Sequence, residues 1–151
     1  MSEIADRQYM LLALKMAEEA ALAGEVPVGA VIVSSGSIVA SDRNRREELQ
    51  DATAHAEILA LRRAGNLLGG WRLTGCTLYV TIEPCPMCAG ALVLARVSRL
   101  VYGAADPKGG AAGSLYNIAS DPRLNHRLEI ASGIMERECA ELMKRFFRER
   151  R

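Results

Sequence analysis

The feature that most restricts how this chain can fold is a pair of short segments about thirty residues apart, His55-Ala56-Glu57 and Glu83-Pro84-Cys85-Pro86-Met87-Cys88. One imidazole and two thiolates form a ligand set suited to zinc, and any fold that unites them must bring two distant pieces of chain to one point. Three protein ligands leave the fourth tetrahedral position for water, which distinguishes a catalytic centre from a closed structural one. Two thiolates with a neutral imidazole carry a charge that Zn2+ balances, so the centre can be buried.

Local signals say how the ligands are presented. Cys85 and Cys88 are three apart and share one face of a helical turn, and Pro86 suits the first helical position. Cys85 is therefore expected at the cap of a helix that runs to about Ala95. His55 and Glu57, two apart, would diverge in mid-helix. In a first turn, side chains lean back toward the amino-terminal end, and both can address a site just off the tip. Two helix tips then converge on one metal, and their dipoles favour thiolate over thiol. Glu57, a carboxylate that is not itself a ligand, is the candidate proton carrier for a water that attacks an amidine-like ring carbon. A redox dithiol or a structural zinc site would also use C-x-x-C. The first leaves His55, Glu57 and the flanking prolines unexplained; the second wants a fourth ligand, and Cys76, Cys139 and His126 have no ligand spacing. Cys76 and Cys139 read as buried apolar side chains and His126 as a structural histidine.

The rest of the chain supplies alternating helices and strands. A helix is expected from about Asp6 to Ala23, with a stripe of Met10, Leu14, Ala17 and Ala21, capped by Asp6 and ended by Gly24. Residues 28–33 read as a buried strand, paired through a Ser34-Ser35-Gly36-Ser37 turn with Ile38-Val39-Ala40. Arg43 to Asp51 reads as a charged surface loop. A second helix is expected from near Ala54 to around Gly65, capped by Asp51 or Thr53. Further strands are expected at 77–82 and 98–103, a loop at 106–113, and a short extended segment at 127–131. A last helix is expected over 134–148, with Leu142, Met143, Phe146 and Phe147 on its apolar side. This order predicts one domain, residues 1–151, built as a three-layer α/β/α sandwich around a mixed central sheet of about five strands.

Composition narrows the partners. A net charge of +1 gives no global argument for a polyanion. The amino terminus lacks the pattern of a signal peptide, and no run of eighteen apolar residues suggests a membrane span. Four cysteines are too few for a disulfide scaffold, so a reducing, cytoplasmic compartment is expected. Locally, the tail from Lys144 to Arg151 sets five cations against one anion around Phe146 and Phe147. Cations suit phosphate and rings suit unpaired bases, yet basic residues at a helix end and a core phenylalanine give the same pattern. Both readings stay open on the residues alone.

The chain resembles the bacterial tRNA-specific adenosine deaminases of the cytidine deaminase-like superfamily, from about residue 8 to the carboxyl end. The likeness rests on Glu25-Val26-Pro27-Val28-Gly29-Ala30, Thr53-Ala54-His55-Ala56-Glu57, Leu78 through Cys85, Met87-Cys88-Ala89-Gly90-Ala91, Gly110-Ala111-Ala112-Gly113-Ser114 and Asn125-His126-Arg127. Cytosine, guanine and deoxycytidylate deaminases share the zinc motif; the added segments narrow the match. The resemblance implies conversion of adenosine to inosine at the anticodon wobble position. It implies one zinc on His55, Cys85 and Cys88, and Glu57 as proton shuttle. It places Val28 against the target base, has Asn44 hydrogen-bond the base or its ribose, and includes Ala56 among the substrate contacts. Asp106 and Lys108 match a loop that touches anticodon RNA, and Phe146, Phe147, Arg148 and Arg150 match the helix that closes over it. The implied partners are a tRNA anticodon stem-loop and a second copy of the chain. Ala52 stands where proline is usual and Ile82 where leucine is usual, and neither change removes a chemical group. Ala105 lacks a side chain that could aid RNA binding. The alternatives are a free nucleobase or nucleoside deaminase acting on guanine or cytosine, and a zinc-stabilised RNA-binding module, against which Glu57 argues.

Overall fold

A computed structural model describes residues 2–150. In chain order the elements are α1 (Glu3–Leu22), β1 (Gly29–Ser34), β2 (Ser37–Arg43), α2 (Arg46–Leu49), α3 (Ala56–Leu68), β3 (Cys76–Ile82), α4 (Pro86–Leu94), β4 (Arg99–Ala104), β5 (Glu129–Ser132) and α5 (Glu136–Glu149). The strands form one mixed sheet in the order β2-β1-β3-β4-β5. β1 runs antiparallel to both β2 and β3, while β3, β4 and β5 are parallel. The expected α/β/α sandwich with a five-stranded mixed sheet is the architecture observed.

Strand alternation divides the core into two layers. Ala30 and Ile32 of β1, Leu78 and Val80 of β3, and Leu100 and Tyr102 of β4 face α3 and α4, meeting Ala56, Ala60, Ala64, Ala89, Leu92 and Val93. Val31, Val33, Tyr79 and Val101 face the other way, toward Met10, Ala13, Leu14 and Ala17 of α1 and toward Cys139 and Leu142 of α5. Alanines on the helices let the backbones approach closely. The extreme case is Gly29, where a Cβ would lie 2.0 Å from Ala13 O and 2.6 Å from Ala17 N. Cys76 and Cys139 are buried as expected, and His126 is structural, donating from Nε2 to Val97 O at 2.6 Å.

Three local expectations are corrected. α1 starts at Glu3, capped by Ser2, whose Oγ accepts the Ala5 amide at 3.1 Å. Asp6 lies one turn before Met10 on the buried stripe, so it points into the sheet; Ala13 and Ala20, rather than Ala21, complete that stripe. α3 starts at Ala56 with His55 at its cap, not Asp51 or Thr53, and runs through Gly65 to Leu68, ending at Gly69 in the left-handed conformation. Asp51 instead accepts from the Thr53 amide and hydroxyl. The segment from Arg43 to Asp51 is not simply surface loop. It contains α2, whose Glu47 and Glu48 amides donate to the buried carboxylate of Glu25 at 3.1 and 2.8 Å.

Asp6 is only 4% exposed. It accepts from Tyr79 Oη at 2.7 Å and takes a bidentate grip from Arg99, at 2.9 and 2.8 Å, tying α1 to β3 and β4. The Arg99 hydrogen bonds hold its carboxyl below the usual carboxylate range, outweighing burial, with Tyr79 assisting. A depressed carboxylate contributes stability above its unfolded pKa of about 3.9, and that contribution is lost as pH falls through the folded value. Asp6→Asn is expected to cost on the order of 3 kcal/mol at pH 7, because it strands the Arg99 charge. Urea unfolding at a series of pH values should show the gap from wild type closing below about pH 4.

Candidate active site

Two helix starts meet on the α3/α4 face. His55 caps α3 and Cys85 caps α4, both with extended backbone dihedrals and neither with a side-chain capping bond. Their side chains turn toward each other instead. His55 Nδ1 stands 3.7 Å from Cys85 Sγ and 3.5 Å from Cys88 Sγ, and the three ligand atoms all lie within 4.8 Å of one another. Zn–N and Zn–S bonds of ordinary length at the tetrahedral angle set nitrogen and sulfur about 3.5 Å apart, so the donors fit that ion, with Nδ1 as the histidine ligand. No fourth His, Cys, Asp or Glu ligand atom joins the group among the described residues.

Electrostatics agree with a cationic occupant. The hydrogen bond from Cys88 and the nearness of His55 hold the Cys85 thiol down at about 4. The same hydrogen bond to Cys85 pushes Cys88 far up, with burial adding to the effect. His55 is raised by its contact with Cys85. Two thiolates this close ionise together only with a cation between them. Glu57, in the first turn of α3, is 3% exposed, and its Oε1 has no hydrogen-bond partner. Burial pushes its carboxyl up to about 7. A buried, unpartnered carboxylate oxygen is costly, which marks the position of a polar group that the protein itself does not provide.

Around the cluster, Asn44 is buried and accepts the Ala56 amide on Oδ1 at 2.7 Å. It thereby caps α3 from a neighbouring loop and leaves its amide nitrogen as the free donor. That loop is braced by Asp42, 2% exposed, which accepts from Arg45 Nε and Arg63 Nε, both at 2.7 Å. Burial pushes the Asp42 carboxyl up, but the Arg45 and Arg63 bonds outweigh it and the net shift is downward. Val28 is buried just ahead of β1, and the Asn44 amide donates to its carbonyl at 3.1 Å. Val28, Asn44, His55, Ala56, Glu57, Cys85 and Cys88 are thus joined through direct contacts or neighbouring positions.

The remaining predicted residues are placed differently. Asp106 is half-buried and Lys108 exposed, in the loop that leaves β4. On α5, Phe146 is turned inward beside Leu142 and Cys139, with the Arg150 guanidinium 3.7 Å from its ring centroid. Phe147 is 47% exposed and Arg148 exposed. A groove of about 410 Å³ between the ends of α1 and α5 is lined by Leu22, Arg145, Phe146 and Arg150 among others, with no cluster residue in its wall. Arg151 lies outside the described residues.

Sequence reasoning assigned no role to Glu83, which is 2% exposed. It accepts four hydrogen bonds, from the amides of Asp106, Ala112 and Ser114 and from Ser114 Oγ. Its position next to Pro84 and Cys85 was the available signal, since an acidic residue between a strand and a buried metal segment requires donors.

The chain matches the family model described as MafB19-like deaminase over residues 4–151. It is 53% identical over 146 residues to the tRNA-specific adenosine deaminase of Bacillus subtilis (strain 168), covering 97% of this chain and 91% of that protein. It is 50% identical over 143 residues to the enzyme of the same name from Agrobacterium fabrum (strain C58 / ATCC 33970), covering 95% and 94%. A solved structure from a study of A-to-I editing by tRNA:A34 deaminases at the wobble position superposes with a TM-score of 0.87, at 50% identity, covering 89% of this chain and 98% of that one. A cluster of one histidine and two cysteines at two helix tips, with a buried carboxylate beside it, occurs here in a chain that is half identical to such enzymes along nearly its whole length, and the chain belongs to the tRNA-specific adenosine deaminase family.

Proposed function

We propose that this chain hydrolyses adenosine to inosine at the wobble position of tRNA anticodons, with one zinc ion held by His55, Cys85 and Cys88. The observation that carries the proposal is Glu57, whose unpartnered oxygen lies buried beside a ligand set with no fourth protein donor. When bound, zinc supplies the Lewis acidity that makes water nucleophilic at neutral pH. Glu57 Oε1 takes one water proton and delivers it to the ring nitrogen, then carries the remaining proton of the added hydroxyl to the amino group, which leaves as ammonia. Asn44, its Oδ1 committed to Ala56, presents Nδ2 to an acceptor on the base or ribose. Val28 supplies apolar contact to the ring. Lys108, and Phe147 with Arg148, present cations and one ring to the RNA; Phe146, buried in the core, supports this surface with Arg150 packed on its ring. The reading places the protein in the cytoplasm with its substrate, and no helix among the described residues is long and apolar enough to cross a membrane.

A homodimer is part of the same proposal, with the outer side of the α3/α4 layer as its interface. Leu67, Leu68, Trp71 and Leu94 are 48–66% and 70% exposed respectively, and the segment after α3 is tied to the end of α4 by the Leu73 amide on Ala95 O at 2.7 Å. Large exposed apolar side chains favour a partner over water, and these four are the proposed contact residues.

Metal analysis should find one zinc per chain in the wild type and a loss in Cys88→Ala. Glu57→Ala should keep zinc and fold while losing roughly a hundredfold or more in rate on an anticodon stem-loop. Wild-type zinc content in the first variant, or near wild-type deamination by the second, contradicts the assignment. The same stem-loop should react far faster than the same adenosine in a fully paired duplex, since unstacking a loop base costs less. Neutralising Arg148 and Arg150 should flatten the salt dependence of binding, by up to about 0.7 log units per lost contact. Sedimentation should give a dimer mass for the wild type and a monomer shift for Leu94→Glu.

A further inference from the structure

The loop over residues 105–114 has no regular secondary structure, yet it is bound closely to the segment that carries Cys85. Pro84 O accepts the Ala111 amide at 2.8 Å. The Glu83 amide donates to Ala104 O at 2.8 Å, fixing the residue at the end of β4 where the loop departs. Its carboxylate is then enclosed by the loop. Oε1 accepts the Asp106 amide at 3.0 Å and the Ser114 hydroxyl; Oε2 accepts the Ala112 and Ser114 amides, both at 3.0 Å. The contact is so close at Gly110 that a Cβ there would sit 2.3 to 2.5 Å from the Glu83 carboxyl atoms. Asp106 relays the constraint outward, since its Oδ1 accepts the Lys108 and Gly109 amides at 3.1 and 3.2 Å. The chain of bonds thus starts two residues before a metal ligand and ends at an exposed cation.

We propose that Glu83 is a positioning residue for substrate: its carboxylate fixes loop 105–114 against the metal-bearing segment and so sets where Lys108 meets the phosphates flanking the target nucleotide. This rests on the reading of the chain as an RNA deaminase. The donor pattern explains why a carboxylate occupies the position. A glutamine there has one acceptor oxygen, which can keep the Ala112 and Ser114 amides. Its NH2 would then face the Ser114 hydroxyl, which can turn to accept, and the Asp106 amide, which cannot. The lost bond is the one that leads to Lys108.

The test uses the zinc-loaded protein and an anticodon stem-loop carrying the wobble adenosine, in a double-mutant cycle of Glu83→Gln and Lys108→Ala. Glu83→Gln should keep zinc at wild-type content and raise KM about tenfold, the scale of one lost charged contact, with kcat changed by less than about threefold. In the Lys108→Ala background the same change should add less than about twofold to KM. Multiplicative effects of the two substitutions, a fall in kcat with KM unchanged, or a wild-type KM in Glu83→Gln would overturn the inference. If Glu83→Gln does not fold, Asp106→Ala, which removes the oxygen that accepts the Lys108 and Gly109 amides and leaves Glu83 in place, takes its arm of the cycle under the same criteria. Failure of the functional reading looks different: the wild-type protein itself then leaves the stem-loop adenosine unconverted.

Discussion

Repulsion between two thiolates sets the terms for the rest of this molecule. Cys85 and Cys88 are held close enough to His55 that their charges coexist only around a cation. The fold meets that requirement by directing the positive ends of α3 and α4 at one point. Both capping positions are occupied by His55 and Cys85 of the cluster instead of the serine, threonine, aspartate or asparagine that a helix start prefers. α3 recovers part of the loss from Asn44, which caps it across the chain, and α4 from Pro86, which brings no amide to satisfy. The site is therefore built from helix ends relieved of their ordinary local duty.

What surrounds the site is a series of buried acids, each with a different task. Glu25 caps α2, Asp42 gathers Arg45 and Arg63 beneath the Asn44 loop, Asp6 ties α1 to the sheet, and Glu83 gathers a loop. All four have their oxygens engaged. Glu57 alone retains a free one. Among the buried carboxylates of the described residues, this exception sets Glu57 apart from groups whose bonds hold the architecture.

The sequence made much of this legible, because the informative signals were local. Pro86 after Cys85 located the start of α4, and β-branched runs located β1, β3 and β4 to within a residue, while β2 runs three residues past its expected end at Ala40. The histidine and cysteine spacing identified the cluster without coordinates. What escaped depended on partners far along the chain. Asp6 looked like a cap because Arg99, 93 residues away, is invisible to a local window. Asn44 fell within an apparent loop, and Glu25 drew no structural reading, because the amides they serve belong to helices 12 and 22 residues on. The double phenylalanine presented one motif for two environments; only the helical phase of α5, with Cys139, Leu142 and Phe146 on one side, sends Phe146 inward and Phe147 out.

The thirty-residue separation of His55 from Cys85 has a consequence for the unfolded chain as well as the folded one. Any ion that bridges them ties off a loop containing all of α3 and all of β3. In the chain-entropy model used for disulfides, closing a loop of that size removes roughly 3–4 kcal/mol of freedom from the denatured ensemble. Such an ion would act as a reversible crosslink between the starts of α3 and α4. Occupancy of the cluster and resistance to unfolding would then share one thermodynamic coordinate, the activity of free metal.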